Sequence, residues 1–198
     1  MAHQYDDRPL IVGIGGTTRA GSSSERALSI SLRAAEAEGA SVVMLSGTEL
    51  EMPMYAPERP ERSSNAQRLL SLVSGCDGLI LSSPSYHGGI SGMLKNALDY
   101  TEDLRNGDRC YLSDCPVGLI ACGAGWQGAA TALSALRSIV HALRGWPTPL
   151  GVMLNSAGGL FDADGNCVAP NGQAQLEAVG RQVMQFASAW KTARLTAA

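Results

Sequence analysis

Five short apolar runs, at residues 10–14, 41–45, 78–81, 117–122 and 149–154, each precede a stretch of ten or more residues with helical character. Strands buried on both faces read as continuous apolar runs rather than as alternating ones. Parallel neighbours cannot be joined by a tight turn and need a helical crossover. The alternation therefore predicts a three-layer α/β fold with a five-stranded parallel sheet. The 198 residues suffice for one well-buried core and are short for two, so one domain over 1–198 is expected, with 1–9 as a polar N-terminal tail.

Caps and stops place the helices. Ser22, Ser23 and Ser24 offer N-cap hydroxyls ahead of a helix over 26–38, which Gly39 ends. Further helices are expected over 63–73, stopped near Gly75, over 91–104, from about 128 to 143, and over 172–194. Residues 51–62 are proline-rich and irregular, but Met52, Met54 and Tyr55 give them more apolar surface than a solvated linker requires, so they are expected to cover something. The strand count fits the flavodoxin-like order 2-1-3-4-5. In such sheets the ligand sits beyond the carboxyl ends of the strands, where the order reverses. The loops after the first, third and fourth strands are the glycine- and serine-rich ones in this chain, so three segments converge on one rim.

The first of these loops, Gly16-Thr17-Thr18-Arg19-Ala20-Gly21-Ser22-Ser23-Ser24, combines tightly curling backbone, five hydroxyls, one guanidinium and a helix start. Those are the parts of an anion cradle, and a phosphate monoester with roughly two charges suits it. A triphosphate-binding P-loop needs GxxxxGK[ST], and Ser22 stands where that lysine belongs. A dinucleotide GxGxxG begins at Gly13 and Gly15 but reaches Thr18, and no acidic residue ends the second strand. A merely structural tight turn is the remaining alternative.

The second loop and the helix after it read Pro84-Ser85-Tyr86-His87-Gly88-Gly89-Ile90-Ser91-Gly92-Met93-Leu94-Lys95-Asn96-Ala97-Leu98-Asp99-Tyr100. This stretch resembles the NADPH-dependent FMN reductase family, whose members carry PxYNGSxPGxLKNAxDW there. The first loop is similar to that family's GSxRxxSxN turn, with Thr17 for serine and Ser24 for asparagine. Cys122-Gly123-Ala124-Gly125-Trp126-Gln127-Gly128 resembles its third loop, and Phe161-Asp162-Ala163-Asp164-Gly165-Asn166 a late turn. The resemblance implies FMN, with its phosphate at Gly16, Thr17, Arg19, Ser22, Ser23 and Ser24, and its ring edge along Pro84, Ser85, Tyr86, His87, Gly88 and Gly89. Gly123, Ala124 and Gly125 would flank the ring. It also implies hydride transfer from NADPH or NADH through the flavin to a free flavin, a quinone or a similar small acceptor. A homodimer or homotetramer is common in the family.

His87 departs from the family's asparagine. Protonated, it would stabilise an anionic reduced flavin; neutral, it would only donate or accept a hydrogen bond; as an exposed loop residue it would touch no flavin. Tyr86 and Trp126 read equally as ring-stacking or as partly buried loop aromatics. Lys95 and Asp99, four apart on one helix face, read as surface or interface charges, and Met93, Leu94, Ala97, Leu98 and Leu104 chiefly as a core stripe, with a subunit interface as the alternative. Because the cofactor carries the hydride chemistry, no catalytic side chain is expected.

Composition removes other classes. Fifteen basic and 18 acidic residues are scattered without blocks, which disfavours a nucleic-acid surface, and the near balance gives little of the acidic docking face of a flavodoxin-type electron carrier. No GxSxG elbow supports an α/β hydrolase, although His87-Gly88-Gly89 echoes an oxyanion loop. Residues 162–173 fail a calcium loop at Cys167 and Gln173. Five cysteines without a CxxC pair, and histidines at 3, 87 and 141, argue for reduced thiols and no metal site. With neither a signal-like start nor an apolar run long enough to span a bilayer, a soluble cytoplasmic protein is expected.

Overall fold

The computed structural model describes residues 8–197, so the first seven residues of the expected tail, with His3, lie outside the described residues. The elements run β1 Leu10–Gly15, α1 Ser23–Ala37, β2 Ser41–Leu45, α2 Ser64–Gly75, β3 Gly78–Tyr86, β4 Gly89–Ile90, α3 Gly92–Asp99, β5 Pro116–Gly123, α4 Trp126–Ala142, β6 Trp146–Asn155 and α5 Gly172–Ala197. The five long strands are parallel in the order β2-β1-β3-β5-β6, and β4 pairs antiparallel with the end of β3. With the short β4 set aside, this is the expected order 2-1-3-4-5. The sheet has six strands, not five.

Side chains alternate across the sheet, as successive Cβ atoms on a strand must. Ile11, Ile80, Ile120 and Val152 pack with Leu28, Val179 and Val183 under α1 and α5. Val12, Leu79, Leu81 and Leu119 pack on the other face with Leu69, Leu94 and Leu136 under α2, α3 and α4. Both faces are covered, hence the unbroken apolar runs.

Three boundaries differ from the sequence expectation. Residues 82–86 read as loop because they are Ser-Ser-Pro-Ser-Tyr, yet β3 continues through them, paired to β5 as far as Pro84 opposite Cys122. Their polarity is absorbed locally: Ser82 Oγ donates to Ser24 O at 2.7 Å and Ser83 Oγ accepts from Ser91 N at 2.9 Å. The helix expected over 91–104 ends at Asp99 and tightens into a 3-10 turn over Tyr100–Leu104. β6 starts at Trp146 and runs through Pro147 and Pro149, which is tolerated because it is an edge strand paired only with β5.

Residues 51–62 do cover something, the outer side of α3. Asn96 Oδ1 accepts from Tyr55 N at 2.8 Å, and Asn96 Nδ2 and Tyr100 Oη both donate to Pro53 O at 3.0 Å. Leu94, Ala97 and Leu98 are core, with Met93 and Leu104 half-buried against it. Lys95 and Asp99 form an exposed pair at 2.6 Å. Among the described residues no helix is long and apolar enough to cross a membrane.

Candidate functional site

Where the chain leaves β1, it must clear α3 before entering α1. Gly16 donates its N–H to Ser82 O at 2.9 Å and lies so close to α3 that an added side chain would strike Ser91 Oγ and come within 2.7 Å of Leu94 Cβ. Gly21, at φ +67°, turns the chain again in the left-handed region that favours glycine. Ser22 then caps α1, its Oγ accepting from Glu25 N at 3.3 Å, and lies 3.3 Å from Ser24 Oγ. The opening N–H groups of α1 are left without intrahelical acceptors, at the positive end of the helix dipole.

Two more strand ends close around this turn. Ser85 Oγ donates to Gly128 O at 2.8 Å, tying the end of β3 to the first turn of α4. Gly123 permits the close passage from β5 into α4, since a Cβ there would meet Ala129 N at 3.0 Å and Ser85 Cβ at 3.3 Å. α4 begins after Gly125 with no side-chain cap, so a second helix start faces the same rim.

The open cleft between these loops measures about 560 Å³. Its lining brings together ten of the fifteen site residues expected from sequence: Thr17, Arg19, Ser22, Ser23, Ser24, Pro84, Ser85, Tyr86, Gly123 and Ala124. Gly16 lies behind its wall and Gly125 at the N-cap of α4, outside the lining. His87, Gly88 and Gly89 are also outside it. His87 at φ +50° and Gly88 at φ +80° are the two central residues of the tight turn between Tyr86 and Gly89, and His87 is exposed. Two successive positive φ values define a type I′ hairpin turn, whose favoured sequence is Asn-Gly. The asparagine usual at this place thus has a backbone reason, independent of any ring contact.

Thr18, Cys122 and Ser156 also line the cavity and were not among the expected site residues. Thr18 and Cys122 lay inside the quoted motifs. Ser156 follows β6, and the rule that ligands gather beyond strand carboxyl ends would have found it. Burial, and to a lesser extent Cys167, push the Cys122 thiol up to about 12, so it is protonated at neutral pH. Among the described residues no carboxylate lines the cavity and Arg19 is its one cation. Hydroxyls, a guanidinium and a helix N-terminus at one end, with Tyr86 and glycine backbone at the other, fit a phosphate monoester carrying a flat ring. Trp126, 61% exposed, lines a separate cavity of about 570 Å³ beside β6, whose lining among the described residues carries no charged side chain.

The chain is 34% identical over 116 residues, 58% of its length, to the NADPH azoreductase of Bacillus sp. (strain OY1-2). It is 34% identical over 130 residues, 66% of its length, to the FMN-dependent NADPH-azoreductase of Staphylococcus aureus. These matches span 60% and 65% of the relatives, under two thirds of either. Among solved structures, the FerB flavoenzyme NAD(P)H:(acceptor) oxidoreductase of Paracoccus denitrificans superposes with a TM-score of 0.71 at 18% identity, over 90% of this chain and 98% of that one. The apo form of the NADH:FMN oxidoreductase EMOB gives 0.68 at 16% identity, over 91% and 89%. At such identities these two likenesses speak for the fold alone. The sequence profile described as NADPH-dependent FMN reductase matches residues 9–159, a span holding all three rim loops just described, and the chain belongs to that family.

Proposed function

We propose that this chain is a single-domain FMN-dependent reductase that takes hydride from NADPH or NADH and delivers it to a small acceptor, a free flavin, a quinone or an azo compound. The observation that carries this reading is the donor set at one end of the 560 Å³ cavity: the start of α1, Thr17, Thr18, Ser22, Ser23, Ser24 and Arg19, with no carboxylate among the lining residues. When bound, FMN supplies the two-electron carrier that no side chain here could replace. The protein's part is to bind and orient it. The α1 end and Arg19 hold the phosphate, while Pro84, Ser85, Tyr86, Gly123 and Ala124 wall the ring. Glycine at 123 lets backbone approach where a side chain would intrude. Cys122, a neutral thiol at this wall, adds packing and no charge.

The names of the azoreductase relatives support FMN as cofactor, NADPH as donor and an azo compound among the acceptors. A cytoplasmic location and a homodimer or homotetramer accompany the same reading.

Purified protein is expected to show a flavin spectrum, or to acquire one on FMN titration, and to oxidise NADPH when a flavin, quinone or azo dye is present. With both substrates varied, double-reciprocal lines should be parallel, because each substrate meets the same flavin in turn. Intersecting lines exclude that order. A yellow protein that oxidises neither nicotinamide with any acceptor would instead be an electron carrier.

A further inference from the structure

At the end of the sheet opposite the flavin cavity, two thiols meet where β3 and β5 begin. Cys76 lies two residues ahead of β3 and Cys115 one ahead of β5, and these strands are parallel neighbours with Leu79 opposite Val117. Both cysteines are buried in one apolar cluster, at 2% and 0% exposure, Cys76 Sγ donating to Val73 O at 3.3 Å and Cys115 Sγ to Pro116 O at 3.6 Å. Arg109 clasps the same corner, donating from Nη1 to Cys76 O at 2.6 Å and from Nη2 to Val73 O, with Nη2 also 3.5 Å from Cys76 Sγ.

The surroundings treat the two sulfurs differently. The neighbouring Cys115 side chain, then the Arg109 charge, lower the Cys76 thiol against the opposing effect of burial. The neighbouring Cys76 side chain and burial raise Cys115. One sulfur is biased toward thiolate, the nucleophilic form, beside a second that keeps its proton. Cys76 lines a small cavity of about 280 Å³ whose lining includes the carboxylates of Asp77 and Asp114 as well as Arg109, Trp190, Lys191 and Arg194. Two N–H groups of that wall, Arg109 Nε and Trp190 Nε1, are sealed without a hydrogen-bond partner among the described residues. An oxygen added at this corner would be an acceptor beside these two unpaired donors.

We propose that Cys76 and Cys115 form a reversible thiol–disulfide site oxidised by hydroperoxides. The Cys76 thiolate attacks one peroxide oxygen, the O–O bond breaks, and the departing hydroxide takes a proton to leave as water, giving a sulfenic acid. Cys115 sulfur then attacks Cys76 sulfur; the S–O bond breaks, and the displaced hydroxide leaves as a second water with the Cys115 proton. The two thiols lose two electrons and two protons, and one hydrogen peroxide becomes two waters. A dithiol reductant reverses the cross-link. The oxidant comes from solution, so the site stands whether or not the flavin reading does.

The chain carries its own control. Cys122 and Cys167 are also buried, and burial pushes Cys122 up to about 12, with no guanidinium hydrogen-bonded to its sulfur. That pair stays as thiols.

The experiment is peroxide titration of the purified protein, followed by alkylation in denaturant and peptide mapping. Expected are a Cys76–Cys115 linkage with loss of two hydrogens in the intact mass, its disappearance on dithiothreitol treatment, and alkylated Cys122 and Cys167. In Cys115→Ser, dimedone should label Cys76, the sulfenic acid now lacking its resolving partner. The proposal is overturned if Cys76 remains an alkylatable thiol at peroxide doses that already oxidise the half-buried Cys110, or if the linkage joins other cysteines. Should Cys115→Ser not fold, the mapping of the unsubstituted chain decides alone.

Discussion

Arg62 Nε lies 2.5 Å from Asp103 Oδ2, joining residues 41 positions apart in the chain. The contact is two-pronged, with Arg62 Nη2 3.0 Å from Asp103 Oδ1, and Tyr55 Oη donates to the same oxygen at 3.2 Å. The guanidinium also lies over the rings of Tyr55 and Tyr100, at 5.1 and 5.5 Å from their centroids. Residues 51–62 are thereby fastened to the turn that ends α3, the helix whose N-terminal side backs the loop at Gly16.

This clamp has a pH dependence of definite sign. The hydrogen bond from Arg62, with its charge, holds the Asp103 carboxyl below the ordinary aspartate value of 3.8. A depressed carboxylate contributes stability that is fully present above that ordinary value and is lost as pH falls through the lower folded one. Amide exchange protection in residues 51–62 should therefore be flat from neutral pH down to the ordinary carboxylate range and drop below it. Asp103→Asn should lower that protection at neutral pH and flatten the acid dependence; an unaltered acid limb would show that another group governs the segment.

Arg19→Ala is expected to weaken FMN binding about tenfold, near the lower end of about 1.5–3 kcal/mol for a hydrogen bond to a charged group, because Arg19 is exposed. Fluorescence titration of the apoprotein measures it. The loss should shrink at high salt, where the screened guanidinium contributes less. An affinity that does not move takes Arg19 out of the site.

His87→Asn should leave FMN affinity within about twofold, since His87 faces solvent on the hairpin and outside the cavity lining, while raising stability by a few tenths of a kcal/mol. Asparagine bears φ +50° with less strain, although histidine already bears it better than most residues. His87→Val should instead cost about 1–2 kcal/mol, read as a lower urea midpoint. A large fall in flavin affinity for His87→Asn would return this residue to the ring edge.

The strand order and the three converging loops were legible in the sequence because they depend on local signals: apolar runs, serine caps and glycine stops. What escaped depends on partners far along the chain. Ser82 and Ser83 look like loop residues until Ser24 O and Ser91 N are beside them. Pro147 argues against starting the fifth long strand before residue 149 until β6 proves to be at the edge. His87 read as a candidate flavin contact because its neighbours do line the cavity; its positive φ, invisible in a single sequence, makes it a turn residue first. Ser156 belongs to no motif and reaches the site only because the fifth long strand ends there.

Gly180 sits inside α5, where glycine weakens a helix by about 1 kcal/mol relative to alanine. Its reason is the neighbouring helix. A Cβ at 180 would run into the carbonyl oxygen of Ser31 in α1, within 2.9 Å of the carbonyl carbon and 3.1 Å of Ala34 Cβ. The obstacle is backbone, which cannot swing aside as a side-chain tip can, and Ser31 Oγ fastens the same contact by donating to Leu176 O at 2.6 Å. Gly180→Ala should therefore push the two helices apart and cost about 1–3 kcal/mol, the overpacking penalty outweighing the gain in helix propensity. Gly75→Ala, at the end of α2 with nothing within 4 Å of the new Cβ, is the matched control and should be neutral. Because α1 carries Ser23 and Ser24 on its first turn, a displaced α1 should also loosen the end of the cavity they line. Urea midpoint and FMN affinity should fall together in Gly180→Ala and in neither case for Gly75→Ala. A Gly180→Ala protein as stable as its parent would mean that α1 and α5 do not pack this closely in solution.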